Sequence, residues 1–226
     1  SGTAAKACSR ERKLMARELR MSRETGVVSF LHLSRAIGIH ASKIHMYNVN
    51  PPEFPNYIDD EHFHLSTIQL PAFAGMQITN GPYGAVSAPG PSTGETHAVA
   101  DKGLHADEYR AVVAWVIEHD SEVRSLLFPA LVEQYDEMRE LVVECLIDED
   151  PDEVVPPIKE PEELASLCGL VALHVGGMSK KGEPRFGIEL GCNWEEEHGA
   201  GVRFVGLRVV EAGHASDAFS FPADEA

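Results

Sequence analysis

The 226-residue sequence has few cysteines, few basic residues and no long apolar run, and each shortage excludes a class of protein. None of its four cysteines belongs to a C-x-x-C pair, which excludes a zinc-ribbon framework. No apolar run approaches the ~20 residues of a membrane-spanning helix, and residues 1–20 lack the apolar core of a secretory signal. We therefore expect a cytoplasmic protein with reduced thiols and no membrane contact.

Acidic residues outnumber basic ones, and the charge is unevenly distributed. Lysine and arginine total 19 against 36 aspartates and glutamates, which gives a net charge of −17. General nucleic-acid binding needs a basic face, so we expect no nucleic-acid partner. Residues 133–163 hold 13 acidic residues and only two basic ones, whereas residues 1–23 hold seven basic residues and two acidic ones. The acidic stretch is either a solvated face or a contact surface for a partner of opposite charge.

Motifs of common enzyme classes are missing as well. The sequence contains no H-E-x-x-H helix, no nucleophile elbow and no Ser-x-x-Lys. Residues 81–97 are rich in glycine but lack the Gly-Lys-Ser/Thr end that a phosphate-binding loop requires. These absences favour a non-enzymatic protein, for which we predict no cofactor and no resident metal.

Apolar periodicity predicts two consecutive helices in the middle of the chain. The first spans residues 104–120, where the i, i+3, i+4, i+7 stripe of a half-buried helix consists of Tyr109, Val112, Val113 and Val116. The second is expected to start from a cap at Asp120 or Ser121, and Pro129 should kink or divide it. Its predicted buried face consists of Leu127, Leu131, Met138, Leu141, Val142 and Cys145.

Alternating apolar residues predict strands on both sides of these helices. The first strand has one side that consists of His62, His64, Ser66 and Ile68. Repeated Gly, Pro, Ser and Thr over residues 74–103 predict short strands and long loops. A short helix is expected to begin near Pro161 and to stop at Gly169. Antiparallel hairpins should then be formed by four runs, at residues 170–175, 185–194, 201–205 and 207–213.

This order of elements predicts an α+β fold, in which an antiparallel sheet carries the helical middle segment on one face. A proline-rich breaker at residues 48–60 predicts a boundary between two parts of the chain. Residues 1–61 would be an N-terminal extension or small subdomain, and residues 62–226 would be the α+β domain.

The stretch GCNWEEEHGAG, residues 191–201, falls at the predicted connection between two of the C-terminal strands. Its glycines suit a tight connection, because glycine readily adopts a positive φ. An extended backbone would place Trp194, Glu196 and His198 on one side, with the other two glutamates opposite. The stretch can therefore be a recognition site, a metal site or a structural corner that buries its tryptophan.

A metal site here would use the glutamates and His198, completed by His174 or His214 from neighbouring strands. Adjacent residues of a strand face opposite sides, so these ligands converge only if the loop is irregular. His62 and His64 form a second possible chelating pair, because residues i and i+2 of a strand face the same way.

Residues 191–219 resemble the C-terminal signature of a large, poorly characterised bacterial domain family with a Trp-Asp-x-Glu-His-Gly motif. Four residues match the motif as they stand, namely Trp194, Glu197, His198 and Gly199. Glu195 replaces the aspartate of the motif. The resemblance extends over about residues 62–220. Related domains resemble those found beside bacterial toxin genes as immunity proteins, and this resemblance would imply toxin binding rather than catalysis.

Together these features predict a non-enzymatic cytoplasmic binding protein, similar to immunity-type domains, with a protein partner such as a toxin. Trp194 is the predicted anchor of the contact, because aromatic side chains dominate binding hot spots. Glu195, Glu197 and His198 would supply polar specificity, and Gly199 belongs to the same predicted binding loop. The alternative is a small metal-dependent hydrolase or a ligand-binding domain that uses this loop.

Overall fold

The computed structural model describes residues 58–59, 62–79, 86–88, 91–145 and 150–222. The basic segment at residues 1–23 and most of the predicted N-terminal extension lie outside these ranges. The predicted boundary between residues 61 and 62 therefore stays a prediction.

The described part of the chain forms nine strands and three α-helices. The strands are β1 (Ile58–Asp59), β2 (Phe63–Gln69), β3 (Ile78–Thr79), β4 (Val86–Ala88), β5 (Glu95–Asp101), β6 (Cys168–Met178), β7 (Pro184–Cys192), β8 (Ala200–Val205) and β9 (Arg208–Gly213). The helices are α1 (Ala106–Glu118), α2 (Asp120–Cys145) and the short α3 (Pro151–Val154). Turns of 3-10 helix occur at Pro71–Phe73, Pro161–Ser166 and Ala215–Ala218. None of the described helices combines the length and the apolar character that a membrane-spanning segment requires.

Seven strands form one sheet in the order β1-β2-β5-β6-β7-β8-β9, and β3 and β4 form a separate pair. Every neighbouring pair in the large sheet is antiparallel except β5 and β6, which are parallel. The α+β prediction is confirmed, but the expectation of a wholly antiparallel sheet is wrong at this pair. A parallel pair needs a long crossover between its strands, and α1 and α2 supply that crossover.

Helix α1 has the buried stripe that its periodicity predicts. The fully buried side chains of this helix are Tyr109, Val112, Val113 and Val116. Trp115 is half-buried, and its ring lies 5.9 Å from that of Phe186 on β7. Helix α1 therefore covers the sheet face on which Phe186 lies. The predicted packing of the helical middle segment on one face is confirmed for α1.

Helix α2 is continuous through Pro129, so Pro129 does not divide it; the alternative, a kink at Pro129, stays a prediction. Pro129 is exposed, while Leu127, Phe128 and Leu131 beside it are fully buried. Proline removes one backbone hydrogen bond from the helix, and burial of these neighbours outweighs that loss. The predicted buried face does not extend to the end of the helix, because Leu141 is 56% exposed.

The segments before α1 and after α2 differ from the predictions in two places. Residue Gly169 does not end a helix but lies within β6, which begins at Cys168, opposite Cys192 of β7. Strand β5 is seven residues long, although the composition of residues 74–103 predicts only short strands. Its pairing with both β2 and β6 stabilises this length. By contrast, the alternation predicted for β2 is confirmed, since His64, Ser66 and Ile68 are its buried residues.

The opposite face of the sheet is covered by the C-terminal 3-10 turn, Ala215–Ala218. A Cβ atom on Gly187 would lie only 1.8 Å from the carbonyl oxygen of Ala218. Glycine at this position of β7 therefore allows the turn to lie directly on the sheet. Arg203 is only 3% exposed beneath the turn, and its guanidinium donates to the carbonyl oxygens of Asp217 and Ser220.

Candidate functional site

Residues 193–199 connect β7 to β8, so the predicted position of the motif at a hairpin connection is confirmed. The loop is turned rather than extended, because the Gly199 amide donates to the Glu195 carbonyl oxygen at 2.9 Å. Gly199 has a φ of +61°, as expected for a glycine in a tight connection. The predicted arrangement of Trp194, Glu196 and His198 on one side is wrong, because it requires an extended backbone.

Trp194 is a packing residue in this loop. It is 3% exposed, and its ring meets that of Tyr135 on α2 edge-on, with centroids 5.2 Å apart. The Tyr135 hydroxyl donates to the Pro156 carbonyl oxygen at 2.5 Å, and burial raises the pKa of Tyr135 to about 12. Burial removes the Trp194 ring from the surface, so it does not form an exposed anchor. For this residue the structural-corner interpretation fits the geometry.

Three polar side chains converge at the surface above Trp194. The carboxylate of Glu195 and the rings of His198 and His214 each offer a ligand atom, and these atoms lie within 4.8 Å of one another. Glu195 Oε1 lies 3.2 Å from His198 Nδ1 and accepts from the His198 amide at 3.3 Å. The two imidazole rings meet edge-on with centroids 5.4 Å apart. We call Glu195, His198 and His214 the loop cluster.

Backbone contacts hold the two segments of the loop cluster together. His198 lies in the β7–β8 loop, and His214 lies just after β9. The Ala215 amide donates to the His198 carbonyl oxygen at 3.1 Å, which joins these segments. Gly201 allows the same approach, because a Cβ atom there would lie 2.6 Å from the His214 carbonyl oxygen. This close approach explains a glycine at position 201.

Glu196 and Glu197 stand outside the loop cluster and are exposed. Desolvation by neighbouring atoms raises the pKa of Glu196 above its ordinary value, although much of the side chain faces solvent. The loop is thus irregular enough to bring one of its three glutamates beside a histidine. Of the predicted binding residues, the structure places Glu195 and His198 together and leaves Glu197 separate.

The other histidines considered as ligands have structural contacts. His174 Nε2 lies 2.6 Å from Glu189 Oε2, and its ring lies 4.9 Å from that of Phe219. The Nε2 atom of His64 is within 2.8 Å of the Leu104 carbonyl oxygen, and the residue is 3% exposed. The possible chelating pair of His62 and His64 is therefore not supported by the geometry.

Two thiols lie beneath the loop on paired strands. Cys168 and Cys192 are both buried and free, at opposite positions of β6 and β7. Burial raises the pKa of the Cys192 thiol to about 12 and raises that of Cys168 well above its ordinary value. At neutral pH both remain protonated and so poorly nucleophilic, and their free state agrees with the expectation of reduced thiols.

A second surface feature lies on the C-terminal half of α2. Leu141 and Val143 are 56% and 37% exposed. The exposed acidic residues of this half are Glu133, Asp136, Glu137, Glu140 and Glu144. We call these seven residues the acidic surface. Its only cationic neighbour on the helix is Arg139, which is ion-paired with Asp152 and donates to the Val155 carbonyl oxygen.

The sequence predicted the acid content of this surface but missed its apolar centre. Periodicity assigned Leu141 to the buried face of α2, whereas a shallow depression of about 310 Å³ is lined by Glu137, Glu140, Leu141 and Glu144. The available signal was the high density of acids around Leu141. A residue with glutamates at i−4 and i+3 shares its helix face with charges that must stay solvated.

The fold and the two surface features define an α+β domain with a polar hairpin site and an acidic helix. Residues 93–219 match a family described as a domain of unknown function (DUF6985), and the chain belongs to that family. The match is consistent with the expected membership of an uncharacterised domain family. No curated protein and no solved structure is significantly similar to the chain.

Proposed function

We propose that the protein is a non-enzymatic binding protein that docks a basic protein partner on the acidic surface of α2. The exposed Leu141 within a ring of glutamates carries this proposal. An apolar centre with a charged rim is the usual arrangement of a protein contact surface, because the centre excludes water and the rim stays solvated. Leu141 takes the role of the contact anchor that the sequence had assigned to Trp194.

Electrostatics favour a basic partner. The five carboxylates of the acidic surface form no ion pair in the part of the chain that the structure describes. Unpaired charges of one sign attract an oppositely charged partner and increase the rate of association. In its narrower form, the proposal makes this an immunity-type protein, and the partner is a toxin with a basic active-site cleft.

The loop lies next to this helix, which supports its predicted share in specificity. Tyr135 belongs to the same half of α2 as the acidic surface, and its ring packs against Trp194 of the loop. A partner seated on α2 can thus reach the polar groups of Glu197 and His198, which are exposed. Directional hydrogen bonds from such groups select among basic partners of similar charge.

The test compares two variants with the same change in net charge. One carries Glu137→Gln, Glu140→Gln and Glu144→Gln. The control carries Glu95→Gln, Glu118→Gln and Glu122→Gln, at exposed positions on β5, at the end of α1 and at the start of α2. Proteins captured by the wild-type chain from a lysate of its source organism are purified and titrated against all three proteins.

We expect the first variant to bind its partner at least tenfold more weakly and the control variant to bind like the wild type. Binding of the wild type should also weaken as salt concentration rises, because the contact is between opposite charges. Equal losses in both variants, or unchanged binding in the first, would contradict docking on the acidic surface.

A further inference from the structure

We propose that the loop cluster of Glu195, His198 and His214 is a binding site for a divalent transition-metal ion, with Zn²⁺ the best-matched ion. The proposal does not depend on the acidic surface of α2. It rests on three potential ligand atoms that lie within 4.8 Å of one another, drawn from two segments of the chain.

The donor set selects the class of metal. Two imidazole nitrogens and one carboxylate oxygen suit zinc and its neighbours in the transition series, whereas Mg²⁺ and Ca²⁺ prefer oxygen ligands throughout. Three protein ligands leave one position of a tetrahedral zinc ion open, as in sites that bind water or an external ligand. The site therefore offers its fourth position to a ligand from outside the chain.

The observed distances are close to those of a zinc site. Bonds of ~2.0–2.2 Å from zinc to nitrogen and oxygen place two tetrahedral ligands about 3.3 Å apart. Glu195 Oε1 and His198 Nδ1 are already 3.2 Å apart. The remaining separations, all within 4.8 Å, must shorten by up to about 1.5 Å for tetrahedral coordination. His198 and His214 are both exposed, so rotation of their rings can supply this change.

The backbone beneath the cluster is already fixed, which favours binding because little ordering is left to occur. The Gly199 amide bonds to the Glu195 carbonyl oxygen, and the Ala215 amide bonds to the His198 carbonyl oxygen. The neighbouring Trp194 is buried against α2, so it holds the first residue of the cluster in place. Ring rotations alone can then complete the site.

The surroundings of the two histidines also suit metal binding. In the part of the chain that the structure describes, the His214 ring contacts the His198 ring and makes no hydrogen bond. The Glu195 side chain is only 13% exposed, and its carboxylate lies beside the imidazole of His198. A cation between the three groups would be bound by the carboxylate and by both imidazoles.

The experiment uses the untagged full chain, treated with a chelator and titrated with ZnCl₂ by isothermal calorimetry in excess Mg²⁺. We expect one Zn²⁺ per chain with a dissociation constant in the micromolar range or below. Saturation with Zn²⁺ should raise Tm by about 5 °C or more, because the ion binds only the folded state. Glu195→Gln, His198→Gln and His214→Gln should each weaken binding at least tenfold.

The loop provides its own matched controls. Glu196→Gln and Glu197→Gln remove the same charge from exposed neighbours, and His105→Gln removes an exposed imidazole at the start of α1. These three variants should bind Zn²⁺ within twofold of the wild type. Absence of stoichiometric binding to the wild type would overturn the proposal. So would equal losses in Glu195→Gln and in the two neighbouring glutamate variants, which would indicate non-specific attraction to an acidic loop.

Unfolding is separated from loss of a ligand by thermal melts of the metal-free variants. His198 and His214 are exposed, so the metal-free variants His198→Gln and His214→Gln should have the same Tm as the metal-free wild type. The variant of α2 with three glutamates replaced should still bind Zn²⁺. A failure of the acidic-surface proposal and a failure of the metal-site proposal would therefore be distinguishable.

Discussion

At the scale of single residues, Trp194 shows how a motif residue can be structural while its neighbours stay available for binding. Its ring is buried against Tyr135, whereas Glu197 and His198, within four residues of it, are exposed. The Trp194 Nε1 atom is buried without a hydrogen-bond partner in the described residues. The ring therefore contributes through packing, and its polar atom opposes that contribution.

This balance predicts different outcomes for two substitutions of Trp194. Trp194→Ala should lower the free energy of unfolding by about 3–5 kcal/mol, the usual loss for a large buried aromatic residue. Trp194→Phe keeps an aromatic contact with Tyr135 and removes the unpaired N–H, so it should lose less than half as much. Urea denaturation of both variants measures the difference. A loss with phenylalanine as large as that with alanine would show that the indole N–H is bonded in solution.

The loop cluster could not be predicted in full from the sequence, for a reason that also lies at this scale. Spacing alone put Glu195 and His198 in one stretch, and His214 was one of two histidines that could complete a set. Which one does so depends on the turn of the loop and on the contact between Ala215 and His198. Neither is encoded in the local pattern of residues.

At the scale of elements, local periodicity was a reliable guide where a whole face is buried, as in α1 and in the successive hairpins β6 to β9. It failed in α2, because the apolar spacing of that helix continues to Leu141, beyond its buried part. The parallel pairing of β5 with β6 was also missed, because 66 residues separate the strands and strand spacing alone does not give direction.

Pro129 provides a prediction about α2 itself. Pro129→Ala restores a backbone N–H inside a continuous helix at an exposed position, so the free energy of unfolding should rise by about 2 kcal/mol. The gain is smaller than the full helical preference, because proline also restricts the unfolded chain. Chemical denaturation is the measurement. The control is Glu133→Ala, at an exposed position four residues further along the same helix, which should change the free energy of unfolding by close to zero. A loss of stability would show that packing depends on the geometry that proline imposes.

At the scale of the whole molecule, the sheet has two differently covered faces. Helix α1 covers an apolar face, and the turn Ala215–Ala218 covers a face that contains buried Arg203 and Glu189. The glycine at position 187 lets that turn approach the sheet. The position of His214, immediately before the turn, thus depends on a residue of β7 that lies outside the loop.

Gly187→Ala should therefore affect stability and metal binding together. The added Cβ would collide with the Ala218 carbonyl oxygen, so the turn must move away from Arg203 and leave that cation poorly bonded. We expect a loss of about 2–4 kcal/mol in the free energy of unfolding. At temperatures where the variant remains folded, Zn²⁺ affinity should fall at least fivefold, as calorimetry can measure. Normal affinity in a destabilised variant would show that His214 is positioned without the turn.

The contact between Tyr135 and Trp194 has one further consequence, for how the protein can be observed. The chain has only two tryptophans, and Trp115 stacks on His119 at 4.0 Å, away from the loop. Trp194 lies between the loop cluster and the half of α2 that bears the acidic surface. In a Trp115→Phe background its fluorescence would report changes at either surface. The molecule thus contains its own optical probe, which needs no label on the surfaces under study.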